Sequence, residues 1–101
     1  MFFKDVVPPR FERTVTATPE EFGRDLRKAW PEGVASVGPN RFSVACGDLA
    51  LEIVAITQGT RRLGILELPL LKVTYEFHGG DEAARRRLLH TLDRAMQRGG
   101  G

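Results

Sequence analysis

Metal or nucleophilic chemistry in this chain would have to come from two histidines, one cysteine and thirteen carboxylates. His78 and His90 belong to no spaced ligand pair. A His-x3-His or Cys-x2-Cys pattern, which sets two donors at metal distance, is absent. Cys46 could act as a nucleophile only if the fold brought a base to it. The alternation Phe42-Val44-Cys46 instead makes it a small apolar residue on a buried strand face. Glu20-Glu21 and Asp81-Glu82 each stand where a helix begins and negative charge is favoured. Glu52, set among apolar neighbours, is the one carboxylate without such an explanation. Gly79-Gly80 precedes a helix whose first amides could receive phosphate, but Asp81-Glu82 would repel an anion. The Gly-x-Gly-x-x-Gly and P-loop patterns are also missing. The expectation is no catalytic constellation, no metal and no cofactor.

Basic residues give the remaining candidate. Residues 1–80 hold ten Lys/Arg and ten Asp/Glu, so the whole net charge of +2 falls on residues 81–101. Arg85-Arg86-Arg87 stand about 100° apart in turn around a helix and form no narrow stripe. Arg85, Arg87, Arg94 and Arg98 are the candidates for phosphate or an acidic partner. No Arg-Gly-Phe-type signature or Gly-x-x-Gly clamp accompanies them, so nucleic acid stands behind other partners.

These side chains must be placed by elements that the periodicity defines. Leu71, Val73, Tyr75 and Phe77 alternate with Lys72, Thr74, Glu76 and His78, which predicts a strand with one dry and one wet face. Phe11 to Ala17 reads as a first strand. Thr18-Pro19-Glu20-Glu21 starts a helix, with Thr18 at the cap, Pro19 at the first position and Glu21 completing a capping box. Phe22, Leu26, Ala29 and Trp30 repeat at helical spacing until Pro31 and Gly33. Short strands follow at Val34–Val37, Phe42–Cys46, Leu49–Thr57 and Arg62–Leu68, with turns at Gly38-Pro39-Asn40, Gly47-Asp48 and Gln58-Gly59-Thr60. Pro69 marks a bulge or an edge-strand break. A last helix starts near Asp81 and carries Ala84, Leu88, Leu92 and Met96 on one stripe, with Leu89 and Ala95 beside it.

The resulting fold class is α+β: one antiparallel sheet, order β-α-β-β-β-β-α with room for one extra strand, and two helices on one face. Residues 1–10 form an arm, 11–98 a single domain and 99–101 a flexible glycine tail. Along Leu49–Thr57 both faces are apolar, because Ala50, Val54 and Ile56 oppose Leu49, Leu51, Ile53 and Ala55. Leu66, Leu68 and Leu70 extend that second face. Either the arm Phe2-Phe3-Val6-Val7 folds back over it or a partner covers it.

The opening Phe11-Glu12-Arg13-Thr14-Val15-Thr16-Ala17-Thr18-Pro19-Glu20-Glu21-Phe22 resembles the start of START/Bet v 1-like helix-grip domains. That resemblance implies a sheet curved around a long C-terminal helix, with apolar ligands held between them. It covers about a tenth of the chain. This chain is shorter than such domains, with little room for their second small helix and full strand set. The element order also suits a TATA-binding-protein-like repeat.

Composition excludes other classes. An apolar share of 42% with 28% charged residues is that of a globular chain, so disorder throughout is not expected. One cysteine allows no intramolecular disulfide and fits a reducing, cytoplasmic setting. Met1-Phe2-Phe3 is too short an apolar run for a signal peptide, and no run of about 18 apolar residues predicts a membrane span. The expected function is a non-catalytic binding or interaction module. A small apolar ligand in the helix-sheet groove, or a protein partner such as a second copy on the apolar sheet face, would meet Trp30, Glu52, Val54, Ile56, Tyr75 and His78. The alternatives are nucleic-acid binding through the last helix, or a small helix-grip-type enzyme.

Overall fold

The computed structural model describes residues 6–96. Phe2, Phe3, Arg98 and the tail 99–101 lie outside the described residues. The elements are β1 (Arg10–Thr16), α1 (Pro19–Ala29), β2 (Val34–Gly38), β3 (Arg41–Cys46), β4 (Leu49–Leu63), β5 (Leu66–His78) and α2 (Glu82–Met96). The strands form one antiparallel sheet in the order β1-β5-β4-β3-β2.

Local chemistry sets the helix starts. Thr18 accepts a hydrogen bond from the Glu21 amide, and the Glu21 carboxylate accepts one from the Thr18 amide, at 3.1 and 3.0 Å. The capping box is therefore complete, with Pro19 at the first turn. Asp81 caps α2 by accepting from the Ala84 amide at 2.8 Å.

Both helices cover one sheet face. Phe22 and Leu26 from α1, and Leu88, Leu89 and Leu92 from α2, join Phe42, Val44, Leu51, Ile53, Ala55, Leu71, Val73, Tyr75 and Phe77 in one buried core. The space beneath the helices is thus filled by side chains. The alternate residues of β4 and β5, Glu52, Val54, Ile56, Lys72, Thr74, Glu76 and His78, make the outer face, which no helix among the described residues covers.

Two expectations change here. Gln58-Gly59-Thr60 is a bulge rather than a turn, and no strand begins at Arg62. The register passes from Thr57↔Leu71 to Thr60↔Pro69, so Gln58 and Gly59 oppose Leu70 alone. Pro69 pairs with Thr60, next to the bulge in the partner strand. The chain reverses at Gly64-Ile65 between the paired Leu63 and Leu66, and Gly64 has φ 62°, as the first central residue of a tight hairpin turn requires. The result is one long hairpin.

The second change concerns the N-terminal arm. Its described end folds toward the helices, not over the outer face. Val7 is buried; its amide donates to Glu82 Oε2 and its carbonyl accepts from Arg85 Nε, both at 2.9 Å. The Val7 hydrogen bond, assisted by Arg86 and Arg85, holds the Glu82 carboxyl below its ordinary pKa against the opposing effect of desolvation.

Candidate functional site

The sequence candidates fall in four places. Val54, Ile56, Glu52 and His78 lie on the outer sheet face, Trp30 lies at the end of α1, Tyr75 is buried under α2, and the arginines are on α2. They do not meet in one cleft.

On the outer face Glu52 and Glu76 are directly opposed across β4 and β5. Like charges in that position repel. His78 bridges them, with Nε2 2.9 Å from Glu52 Oε1 and 3.9 Å from Glu76 Oε1. All three are well exposed, and among the described residues no group of three or more His, Cys, Asp or Glu is placed to hold a metal.

Farther along the same face the surface turns apolar. Beyond Ala55 the outer edge of β4 has lost β3, whose last link is the Ala55 amide donating to the Asn40 carbonyl. Beyond Pro69, whose carbonyl accepts the last link from the Ala17 amide at 3.1 Å, β5 has likewise lost β1. The two strands continue alone as an arm. Ile56, Leu63, Ile65 and Leu66 on it are 47%, 49%, 100% and 58% exposed. Register places Leu66, Leu68 and Leu70 on the face shared by Ile56 and Leu63, so an apolar stripe runs from the sheet out to the tip. Arg61, opposite Leu68, shares that face, and Arg62, opposite Glu67, lies on the other.

A groove of about 760 Å³ opens at the other end of the sheet. Trp30, Cys46, Leu49, Ala84 and Leu88 line it, with Asp48, Asp81, Arg87 and Thr91. Trp30 Nε1 donates to the Ala45 carbonyl at 3.0 Å, which fixes the indole against the β3–β4 turn. Cys46 is half-buried and belongs to this wall.

The arginines of α2 are differently engaged. Arg85 is half-buried and holds Val7, Arg86 pairs with Glu82 at 2.7 Å, Arg87 lines the groove and Arg94 is exposed. Arg98 lies outside the described residues.

One cluster escaped the sequence reading. Arg13 lies on the buried side of β1 and makes two hydrogen bonds to Asp93 of α2, at 2.7 and 3.0 Å. Its guanidinium carbon stands 5.3 Å from the ring centres of both Phe11 and Tyr75, which are themselves stacked at 4.8 Å. Burial pulls the Arg13 pKa down, but the hydrogen bonds and charge of Asp93, with Tyr75, raise it overall. Burial pushes the Tyr75 hydroxyl up to about 12; Arg13 opposes that rise and the Asp93 charge adds to it.

Tyr75 gives a test of this cluster. Its folded pKa lies above the unfolded value of 10.0, so the stability it contributes is intact below pH 10. Above that pH the unfolded chain loses the proton first, and stability falls by roughly 1.4 kcal/mol per pH unit. Urea unfolding between pH 9 and pH 12 should show this fall, and as Tyr75 is the single tyrosine, tyrosinate absorbance reports it alone.

No protein-family model and no curated protein matches the chain. No helix among the described residues is long and apolar enough to cross a membrane.

Proposed function

We propose that this chain is a non-catalytic interaction module that docks a protein partner through the β4–β5 arm and the adjoining outer sheet face. The observation that carries this reading is the arm's apolar stripe, ending in the fully exposed Ile65. Along this stripe Ile56, Leu63 and Leu66 are exposed and Leu68 and Leu70 half-buried among the described residues, and such a surface serves contact. Unpaired main-chain groups on both edges of the arm add the means for strand addition. The neighbouring Glu52-His78-Glu76 cluster supplies a polar rim to the same face.

A photoreactive residue at position 65 tests this in cells. We expect one dominant adduct, absent when the probe stands at Glu32, an exposed residue after α1, and lost in Leu63→Glu/Leu66→Glu. Equal labelling at positions 65 and 32 would refute the reading.

A second reading draws on the groove beside Trp30. An indole wall, Leu49, Leu88 and the Arg87 cation fit a small molecule with an apolar body and an anionic end. Because Trp30 is the single tryptophan, its fluorescence would respond directly to such a ligand.

A further inference from the structure

We propose that the occupant of the arm is a second copy of this chain, paired antiparallel along the outer edge of β4. This inference rests on the reading of the arm as a docking surface. Among the described residues the free edge runs from Ile56 to Leu63, because β3 occupies β4 only as far as Ala55. At about 3.3 Å per residue it spans roughly 26 Å. On the opposite side of the arm the β5 edge is short and carries Pro69, which cannot donate.

The sequence of the β4 edge is self-complementary in one register. Two strands related by a two-fold axis between Gly59 and Thr60 set Ile56 against Leu63 of the second copy. The same register sets Thr57 against Arg62 and Gln58 against Arg61. The bulge makes this work. Before it, Ile56 faces outward and Thr57 inward; after it, Leu63 and Arg61 share the outer face with Leu66 and Leu68. The extra residue thus brings outer residues opposite outer residues, and apolar side chains from both copies form one continuous patch.

Competing registers fail for stated reasons. Shifting toward the tip brings Arg61 and Arg62 of one copy opposite those of the other. Shifting the opposite way drives Leu63 into the segment already paired with β3. Arginines and a bulge ordinarily discourage edge pairing; here they select one register among several. A net charge of +2 per chain opposes association only weakly.

Hydrogen-bond direction completes the geometry. The Ala55 amide points outward to Asn40, so the Thr57 amide, two residues on, points to the same edge. Thr57 and Arg62 of the second copy form a hydrogen-bonded pair, while Ile56 and Leu63 form the closer non-hydrogen-bonded pair, with Cα atoms about 4.5 Å apart. That separation suits a disulfide.

The experiment combines mass with cross-linking. Native mass spectrometry over a concentration series should show a species of twice the 11.2 kDa chain mass. Thr57→Pro, which removes an outward donor and no bond to β5, should be monomeric with an unchanged circular dichroism spectrum. Leu63→Asp should weaken association at least about tenfold. In a Cys46→Ser background, oxidation of mixed Ile56→Cys and Leu63→Cys chains should give the mixed disulfide dimer, and neither chain alone should cross-link. A dimer without the mixed disulfide would overturn the proposal. So would a monomer at every concentration; if the photoreactive residue at 65 still captured another protein, self-pairing would fall while the docking reading stood.

Discussion

Replacing Asp93 with alanine is expected to destabilise the fold by about 3 kcal/mol, although the residue lies outside the hydrophobic core. The Arg13 and Asp93 side chains are only 17% and 16% exposed, and their two hydrogen bonds tie β1 to α2. Asp93→Ala leaves a cation packed beside two stacked aromatic rings with no counter-charge. The penalty is mainly that stranded charge, not the lost attraction. Arg13→Met/Asp93→Leu should therefore recover most of the loss, because both charges are removed together. For a domain of this size the single substitution should lower Tm by roughly 15 °C. Thermal unfolding of the single and double variants checks the prediction; a double variant as unstable as Asp93→Ala would contradict it.

Leu26→Ala should be comparably severe. Leu26 is completely buried and anchors α1 within the core that also holds Leu51 and Ile53. Truncation removes apolar contact and leaves a cavity that a helix pinned by its capping box cannot collapse to fill. The expected loss is about 2–5 kcal/mol, against a total stability of about 5–15 kcal/mol for a chain of this length. The consequence reaches the Trp30 groove, since α1 ends beside it. Urea unfolding followed by tryptophan fluorescence should show a lowered midpoint with little change in slope. A midpoint within the error of the parent would contradict the packing described for α1.

Much of this architecture was legible in the residues because local and long-range demands agree there. Thr18-Pro19-Glu21 specifies a helix start by its own hydrogen bonds, and Leu71–His78 specifies a two-faced strand by strict alternation. The β4–β5 hairpin was harder. Gly59 and Gly64 both offer a left-handed backbone, and sequence alone does not say which makes the turn and which the bulge. Pairing decides it: a turn at Gly64-Ile65 lets thirteen-residue β5 run back along β4.

The direction of the N-terminal segment at Val7 is set by Glu82 and Arg85, distant in sequence, so apolar content alone does not say which surface Val7 meets. Arg13 and Asp93 carried a readable signal that their charges obscured. Arg13 shares strand parity with Phe11 and Val15, and Asp93 sits in the helical pattern Leu89-Leu92-Asp93-Met96. Opposite charges on two apolar faces imply a pair. The candidate residues Glu52, Val54, Ile56 and His78 were correctly grouped by parity on one strand face, but Trp30 and Tyr75 lie on the other side of the sheet, where the groove and the Arg13 cluster separate them.

Amide hydrogen exchange along β4 distinguishes an occupied arm from a bare one. The protein isolated gently with whatever it holds is compared with the same protein unfolded, purified and refolded at high dilution. If the arm is a docking surface, the outward Thr57 and Arg62 amides exchange rapidly in the dilute refolded chain and slowly in the gently isolated one, while Leu51 and Ile53, paired with β3, are protected in both. Equally fast exchange of those two amides in both samples would mean that nothing docks on the arm.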